Sequence, residues 1–218
     1  MQVFQYNPPS IPWLDIRYID RDIIVINKPS GLLSNPGIAE VTHDCALTRL
    51  QALYPEVILV HRLDCDTSGV MVFARTKQAE SHIKTQFQNR TTTKVYIAEV
   101  EGKLEQQHGQ IALAIAPNKD KRPLQMINPD GKTAVTDFEL IDHRVQSTLV
   151  KLTPQTGRTH QLRVHMLALG HCILGDQFYG DSQCVAASSR LRLHAQSLTI
   201  EHPYKNKPMT FHSRHPFQ

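Results

Sequence analysis

The nine residues from His61 to Gly69 carry the densest group of reactive side chains in the chain, and they read His-Arg-Leu-Asp-Cys-Asp-Thr-Ser-Gly. Two carboxylates, one arginine and one histidine lie within the six residues that begin at His61. Catalytic side chains are commonly presented in this way, on a loop that a rigid scaffold holds. The alternative is a solvated turn in which Asp66–Gly69 only caps a hairpin. The spacing alone leaves both interpretations open.

Apolar runs flank this segment and must position it. Val57–Val60 precedes it and Val70–Ala74 follows it, and both runs are rich in β-branched residues. Short runs of this kind, bounded by turn residues, are typical of buried strands. The sequence therefore predicts a charged loop between two strands of one core.

Further strands are predicted along most of the chain, and few helices separate them. This pattern predicts an α+β fold with a mixed, largely antiparallel sheet flanked by helices, in one domain over residues 1–218. The segment 117–130 is predicted to be a long polar loop that holds Lys119, Lys121 and Arg122. The other predicted strands are Asp15–Ile19, Arg21–Asn27, Lys94–Glu101, Gln110–Ile115, Thr133–Ile141, Ser147–Leu152, Arg190–Ile200 and Met209–Ser213.

Three helices are predicted from their caps and apolar stripes. Thr42 is the predicted N-cap of the first, Thr76 that of the second, and the third spans Thr159–Leu169 with Gly170 as its left-handed terminator. The residues expected to face inward are Ala46, Leu47, Leu50 and Leu53 in the first helix, Ala79, Ile83 and Phe87 in the second, and Leu162, Met166 and Leu169 in the third.

Composition indicates a soluble globular protein, with 40% hydrophobic and 20% charged residues in 218. Four scattered cysteines predict free thiols in a reducing compartment, and hence a cytoplasmic location. The proline-rich segment 1–13 is polar and does not resemble a signal peptide. Apolar runs stay far below the ~20 residues of a membrane helix, so no membrane partner is expected.

The charge is mildly basic, at +4, which suggests a polyanionic partner. Five basic residues against one acid lie between Arg75 and Lys94, and Lys77 and Lys84 should point outward from the helix there. Such a run suits phosphate contact, although a single basic run is most often a solvated face. Aromatic residues make up only 6%, which argues against a platform of stacked bases.

Metal and cofactor chemistry is disfavoured by the motifs. His160 and His165 are five residues apart, which places them about 140° apart around a helix, whereas paired ligands want a spacing of three or four. His171 does not complete a set of zinc ligands with them, and the sequence contains no Cys-x-x-Cys pair. No metal site is therefore predicted. These histidines would instead make hydrogen bonds on the helix surface or contact an anionic ligand. A phosphate-binding loop and a dinucleotide-binding turn are also absent from the sequence.

Four ordered motifs resemble those of the RluA-type pseudouridine synthases. The nonapeptide is similar to the family's H-R-L-D-x-x-T-S-G signature, and the match extends over essentially the whole chain. Cys172 departs from the family, where proline commonly follows Gly-His. The other three matching segments are Asn27–Leu32 (N-K-P-x-G-L), Lys94–Tyr96 (K-x-Y) and Thr156–His165 (T-G-R-x-H-Q-L-R-V-H).

The resemblance implies a role for each matching residue. Asp64 would be the catalytic aspartate, acting as nucleophile or as base. Arg163 would be the arginine that pairs with it, and Tyr96 the tyrosine that stacks on the uracil and is placed for proton transfer. A buried carboxylate needs such a cationic partner to stay ionised, and a guanidinium offers two-pronged geometry. Asp66 would hold the loop through local hydrogen bonds with Thr67 and Ser68 rather than act as a second acid.

Substrate contacts follow from the same motifs. Arg62 would enter the RNA beside the flipped base, although an ordinary phosphate contact is an alternative for it. Leu63 and Leu162 would wall the pocket. The matching motifs also assign substrate contacts to His61, Arg158 and His160.

The resemblance also implies a substrate class. The resemblance is to short members that act on large-subunit (23S) rRNA and on the tRNA anticodon stem-loop, so the N-terminal RNA-binding module of longer relatives is not expected. The expected protein is a monomeric isomerase of rRNA and tRNA processing that needs no cofactor. Two other classes stay open, a binding module that has kept the fold without activity and a metal-assisted hydrolase that uses the histidines.

Overall fold

The computed structural model describes residues 6–217, so the first five residues of the proline-rich segment 1–13 lie outside the described part. The chain divides into two compact units. The first runs to Thr92 and takes in Ala195–Arg214, and the second consists of Thr93–His194 with the residues from His215 onward. Within residues 6–217, no helix is long and apolar enough to span a bilayer.

Twelve strands and four helices follow one another along the described chain, with six strands in succession between the second and third helices. The strands are β1 Ile16–Ile19, β2 Ile23–Lys28, β3 Ile58–Leu59, β4 Ser68–Ala74, β5 Thr93–Glu101, β6 His108–Ile111, β7 Ile115–Pro117, β8 Gln125–Ile127, β9 Thr136–His143, β10 Ser147–Pro154, β11 Leu193–Glu201 and β12 Pro208–His212. The helices are α1 Ala46–Leu53, α2 Lys77–Asn89, α3 Gln161–Ala168 and α4 Ser182–Ala186, with a 3-10 turn at Glu40–His43.

The first unit is organised around β2 and β4, which pair antiparallel with Ile24 opposite Phe73. Strand β1 pairs with β2, β3 with β4 and β11 with β12, all antiparallel. Every residue of β4 is buried, which explains why its sequence is a continuous apolar run rather than an alternating one. Helix α2 covers this core with Ala79 and Ile83.

The second unit contains an antiparallel sheet in the order β5-β10-β9-β6. Strands β7 and β8 form a separate two-stranded hairpin. Helix α3 packs against the sheet, and its Leu162 and Met166 share a core with Val150 and Leu152. Both units therefore have their own hydrophobic core.

Most predicted elements are confirmed, as is the α+β class with its largely antiparallel strands. Thr76 caps α2 by accepting the N–H of Ala79, and Gly170 ends α3 with a φ of 88°. All four cysteines are free thiols.

Five predictions about single elements or residues were wrong. Thr42, the predicted N-cap of the first helix, lies in the 3-10 turn Glu40–His43, and Cys45 is the N-cap of α1. Leu53, expected inside, is half exposed, because α1 ends there and Tyr54 follows. The polar loop over 117–130 contains strand residues of β7 and β8, and the strand predicted for Gln110–Ile115 breaks after Ile111. His165, expected on the helix surface, is fully buried. Helix α4, which Asp181 caps, was not predicted.

Candidate active site

The loop that carries Asp64 is anchored by a buried lysine at the end of β2. Lys28 is completely buried, and its Nζ donates to the carbonyl oxygens of Leu32 at 2.5 Å, Cys65 at 2.8 Å and Pro29 at 3.0 Å. The N–H of Gly31 also donates to the Cys65 carbonyl, at 3.0 Å. The ammonium thus ties the peptide after Asp64 to the segment that follows β2.

Two serines complete this anchorage on both sides of Asp64. Ser34 Oγ donates to the Leu63 carbonyl at 2.7 Å and accepts the Leu63 N–H at 3.0 Å. Ser30 Oγ donates to the Asp66 carbonyl at 2.6 Å. Backbone atoms before and after Asp64 are therefore fixed by Lys28 and Ser30 of the motif Asn27–Leu32 and by Ser34, two residues after that motif.

Asp64 itself is partly exposed, as is Cys65 after it. Leu63 is buried at 7% exposure, whereas Arg62 is exposed. The Asp64 carbonyl accepts the Thr67 N–H at 3.2 Å, which closes a turn directly after the carboxylate. Asp64 is thus a partly exposed residue on a backbone that hydrogen bonds hold on both sides.

His61 is engaged within its own unit. Its Nε2 accepts the backbone N–H of Val72 at 3.0 Å, and its ring stacks on Phe87 with 4.7 Å between centroids. Because Nε2 accepts, any ring proton is on Nδ1. His61 thus connects the start of the loop to β4 and α2, and the predicted contact with substrate stays a prediction.

Gly69 ends the loop and has a backbone that only glycine accommodates here. Its φ is +117°, and a Cβ at this position would come within 2.2 Å of the Ala195 carbonyl oxygen in β11. The glycine of the signature is therefore required by close backbone approach.

We expect Lys28→Met to lower the free energy of unfolding by about 3 kcal/mol, because three buried carbonyl oxygens lose their charged donor. Lys103→Met, at an exposed lysine, is the matched control and should shift stability by less than about 0.5 kcal/mol. Urea denaturation of both variants measures the difference. Equal stability of the two variants would show that the anchor contributes nothing.

In the second unit, Arg163 is held by a carboxylate that the sequence interpretation gave no role. Its Nε donates to Asp176 Oδ2 at 2.8 Å and one terminal nitrogen donates to Oδ1 at 2.5 Å. The two side chains are only 2% and 0% exposed. A buried two-pronged ion pair of this kind fixes the guanidinium in one orientation.

Asp176 also orders the aromatic residues that follow it. Its Oδ1 accepts the N–H groups of Phe178 at 2.9 Å and Tyr179 at 3.1 Å. Both rings lie near the guanidinium of Arg163, with centroids 4.8 Å and 5.3 Å from its central carbon. In the sequence, Asp176 follows Gly175 downstream of the matching segment Thr156–His165, and that position alone did not indicate a partner for Arg163.

The remaining predicted residues of this unit lie on β5, α3 and the turn before α3. Tyr96 is partly buried on β5 opposite Leu152 and packs against the core. Leu162 is buried at 7% exposure. Arg158 Nε donates to the Thr133 carbonyl at 3.1 Å, and Lys94 Nζ donates to the Thr156 carbonyl at 3.3 Å.

A chain of buried hydrogen bonds holds Gln161 and His165 of α3 in place. Gln161 accepts the Thr156 hydroxyl at 2.7 Å and donates from Nε2 to Thr136 Oγ1 at 3.0 Å. Thr136 Oγ1 lies 2.9 Å from His165 Nδ1, and His165 Nε2 lies 3.0 Å from the Leu113 carbonyl. Burial lowers the pKa of His165 below its ordinary value, which favours the neutral ring.

His160 is the N-cap of α3 and is buried rather than exposed. Its backbone is left-handed, with φ 54°, and its Nδ1 lies 2.7 Å from the Tyr179 hydroxyl. The ring also contacts Phe178. This histidine thus helps to position the aromatic pair beside Arg163, and its contact with substrate stays a prediction.

The basic face of α2 is neutralised in part. Glu80 accepts from Lys84 at 2.6 Å and from Lys77 at 3.0 Å. Both lysines stay exposed although they pair with Glu80. Surface ion pairs of this kind contribute little to stability. Phosphate contact by either lysine stays a prediction.

One group of side chains has the composition of a metal site, although the sequence interpretation predicted none. Ligand atoms of Asp20, Asp22 and His202 lie within 4.8 Å of one another. Asp20, however, already accepts from the Tyr18 hydroxyl, His202 and the N–H groups of Asp22 and Ile23. Partial burial of Asp20 opposes its ionisation, but these donors hold the pKa of its carboxyl group well below its usual range. The hydrogen bonds from Asp22 and Ile23 identify Asp20 as the residue that caps the turn between β1 and β2.

Comparison with known proteins identifies the class. The RNA pseudouridylate synthase family model matches residues 22–168, and this chain belongs to that family. It is an RNA pseudouridine synthase, an isomerase that acts on RNA. The match spans both the anchored Asp64 loop and Arg163.

Close relatives carry a more specific name. The chain is 48% identical over 213 residues to the dual-specificity RNA pseudouridine synthase RluA of Escherichia coli strain K12, with 97% of both chains covered. It is 47% identical over 219 residues to the protein of the same name from Haemophilus influenzae, with 100% of both covered.

Solved structures agree with this. Human RNA pseudouridylate synthase domain containing 1 matches with a TM-score of 0.82 and 30% identity, covering 97% of this chain and 87% of that one. The human domain containing 4 protein gives 0.74 and 27%, covering 93% and 88%.

Proposed function

We propose that this chain converts uridine to pseudouridine in both rRNA and tRNA, with Asp64 as the catalytic carboxylate. The observation that carries the proposal is the anchorage of the loop, in which Lys28, Ser30 and Ser34 fix the backbone on both sides of a partly exposed Asp64. A catalytic group must be held within a fraction of an ångström of its productive position, and this anchorage supplies such rigidity.

Arg163 and Tyr96 act in the same reaction. The uracil–ribose C–N bond breaks, the uracil turns, and a C–C bond to the ribose forms. The ring carbon that joins the ribose loses its proton and the released ring nitrogen gains one, so the composition is unchanged. An ionised carboxylate is required, and a guanidinium favours that ionised form. Tyr96 would lie against the uracil ring and its hydroxyl would move the proton. The pairing of Asp64 with Arg163 remains part of this proposal.

The substrate contacts follow the motif assignments. Arg62, which is exposed, would enter the gap left by the flipped base, and Leu63 and Leu162 would contact the uracil. His61, Arg158 and His160 would support these contacts through the hydrogen bonds described above. The isomerisation changes neither composition nor oxidation state, so it requires no cofactor.

Dual specificity is supported by the relatives. Proteins named dual-specificity RNA pseudouridine synthase share 47–48% of their residues with this chain over nearly its full length. We extend their specificity to this chain, with 23S rRNA and the tRNA anticodon stem-loop as its substrates. We further propose that it acts in the cytoplasm as a monomer, as one catalytic domain over residues 1–218.

We expect an isolated stem-loop of about 15–20 nucleotides to be modified nearly as fast as the parent tRNA or rRNA. The mild charge and the scarcity of aromatic residues suit recognition of a compact shape rather than of a long sequence. A paired duplex with the same uridine should react much more slowly, because unpairing adds to the cost of flipping.

Single-turnover rates on stem-loop, duplex and full-length RNA at one stated salt concentration measure this. Reaction with full-length rRNA alone would contradict stem-loop recognition, and absence of pseudouridine in every RNA would contradict the proposed activity. Mapping pseudouridine in cells with and without the gene then identifies the modified positions.

A further inference from the structure

Tyr6 lies outside the four matching motifs, and its hydroxyl group contacts both ends of one loop. The hydroxyl accepts the N–H of Leu33 at 3.0 Å and donates to the carbonyl of Asp44 at 2.6 Å. We propose that Tyr6 is a positioning residue that holds Asp64 in place through this loop, which is defined as residues 33–44. This inference rests on the proposed function, in which Asp64 is the catalytic carboxylate, and adds to it a residue outside the motifs.

The first two residues of the loop connect Tyr6 to the backbone before Asp64. Leu33 is bonded to Tyr6 through its N–H, and Ser34 follows it directly in the chain. Ser34 Oγ donates to the Leu63 carbonyl at 2.7 Å and accepts the Leu63 N–H at 3.0 Å. Ser34 and Leu63 are both buried. The route from Tyr6 to Asp64 thus passes through two consecutive loop residues and Leu63.

Helix α1 holds the same two loop residues at their carbonyl groups. The N–H of Ala46 donates to the Leu33 carbonyl at 2.8 Å, and the N–H of Leu47 donates to the Ser34 carbonyl at 3.2 Å. The carbonyl of Leu33 is therefore held by α1, and its N–H is held by Tyr6. Removal of the Tyr6 hydroxyl would release one of these two supports and leave the helix in place.

Arg49 of α1 clamps the chain that carries Tyr6. Its side chain is only 3% exposed, and its Nη1 donates to the carbonyls of Pro9 at 2.8 Å and Trp13 at 2.9 Å. The same guanidinium donates to the two carboxylate oxygens of Asp44 at 2.6 Å and 2.8 Å. Asp44 joins both contacts, because its carboxylate accepts from Arg49 and its carbonyl accepts from Tyr6. Tyr6 is therefore fixed relative to α1 and to the loop.

The Tyr6 hydroxyl stays protonated at ordinary pH. The side chain is buried, and this burial raises the pKa of Tyr6 to about 12. The hydroxyl therefore keeps the one proton that it donates to Asp44, and it accepts from Leu33 with an oxygen lone pair. Tyr6→Phe removes both hydrogen bonds at once and keeps the ring.

We expect Tyr6→Phe to lower the single-turnover rate at saturating RNA about five- to tenfold, because the backbone before Asp64 loses part of its support. The loss should be smaller than that of the carboxylate itself, since Lys28 and Ser30 still hold the backbone after Asp64. The Kd of a tRNA stem-loop should stay within about twofold, because a buried hydroxyl offers no contact to RNA.

The loss of rate in Tyr6→Phe should be the same at pH values of about 6.5 and 8.5, since the hydroxyl does not titrate between them. A loss that changed between these pH values would assign Tyr6 to proton transfer and would overturn the positioning role.

Tyr18→Phe is the matched control in the same unit. The Tyr18 hydroxyl donates to Asp20 Oδ2 at 2.7 Å and accepts from Lys205 Nζ at 3.3 Å, near the turn between β1 and β2. Each substitution removes one hydrogen-bonded hydroxyl, so both should lower the Tm by about 2–4 °C. The control should keep its single-turnover rate within about twofold of the wild-type rate.

A double-mutant cycle with Ser34→Ala tests the route. Ser34→Ala alone should lower the rate at least about tenfold, because both hydrogen bonds to Leu63 are lost. If Tyr6 acts through Ser34, adding Tyr6→Phe to this variant should lower the rate by less than about twofold more. Losses that multiply in full would show that Tyr6 does not act through Ser34 and would overturn the proposed route.

Amide hydrogen exchange measures the order of the loop without any chemistry on RNA. Tyr6→Phe should speed the exchange of the Leu33 and Leu63 N–H groups at least about fivefold relative to that of Val72 in β4. Tyr18→Phe, with a similar expected loss of stability, should leave these ratios unchanged.

The proposal fails if folded Tyr6→Phe reacts at the wild-type rate, if Tyr18→Phe loses as much, or if exchange at Leu63 does not change. Where Tyr6→Phe does not fold, Arg49→Lys takes its place, because it loosens the chain that carries Tyr6 and should change rate and exchange in the same way. An active Asp64→Asn variant would instead contradict the proposed function without altering the exchange result. Failure of the Tyr6 prediction together with an inactive Asp64→Asn variant would leave the proposed function intact.

Discussion

Asp64→Asn should reduce the rate of pseudouridine formation at least about 1,000-fold, or by about 4 kcal/mol of transition-state stabilisation. The amide keeps the size and polarity of the side chain but has neither the negative charge nor the nucleophilicity. RNA affinity should stay within about tenfold, or ~1.4 kcal/mol, since the loop backbone is held by Lys28, Ser30 and Ser34 and not by the carboxylate.

Asp66→Asn is the matched control two residues away. The side chain of Asp66 is partly exposed, and it is the Asp66 carbonyl that accepts from Ser30. The control should therefore keep its rate within about tenfold. Single-turnover assays of both variants, with wild-type protein rigorously excluded, measure the contrast. A rate in Asp64→Asn within about tenfold of the wild-type rate would remove Asp64 from the mechanism.

Arg163→Lys should lower both activity and stability. The substitution keeps the charge but loses the planar fork that holds Asp176 at two points. Asp176 is completely buried, so a poorly matched partner should cost about 3 kcal/mol of unfolding free energy. We also expect kcat to fall at least 100-fold, whereas Lys84→Ala should only weaken binding and flatten its salt dependence.

Asp176→Asn separates two roles of Arg163. If the arginine acts in the reaction, its own substitution should reduce kcat more than Asp176→Asn does, although both variants lose stability. Equal kcat losses would assign Arg163 a purely structural role as the partner of Asp176. If Arg163→Lys and Lys84→Ala changed kcat, binding and its salt dependence in the same way, Arg163 would act only by contacting a phosphate. Denaturation curves and saturation kinetics of the three variants are sufficient to decide.

Local patterns predicted much of the fold correctly. The run Val70–Ala74 predicted the buried strand β4, because a buried strand needs a continuous apolar sequence. The run Val57–Val60 predicted a strand before the Asp64 loop, where β3 is present but has only two, partly buried residues. Thr76 and the stripe below it predicted α2, because capping and helical spacing are local properties. These signals depend on neighbours in sequence and are readable without a structure.

Long-range polar pairs were not predictable in the same way. Lys28 is 37 residues from Cys65, and Arg163 is 13 from Asp176. A lysine is ordinarily exposed, and nothing in its local sequence shows that three carbonyl oxygens surround it. Strands β7 and β8 were not predicted either. Only three residues of each strand form pairs, and the turn between them is polar, so the local sequence resembles a loop.

The anchoring of Lys28 has a consequence for covalent labelling. An acylating reagent needs the lone pair of a neutral, accessible amine, whereas this ammonium is buried with its hydrogens directed at the oxygens of Pro29, Leu32 and Cys65. Lys28 should therefore resist acetic anhydride while exposed lysines such as Lys103 react within minutes. Local opening of the Asp64 loop would release the Cys65 contact and make Lys28 reactive. The extent of acylation at this one lysine would then report how often the Asp64 loop opens in the folded protein.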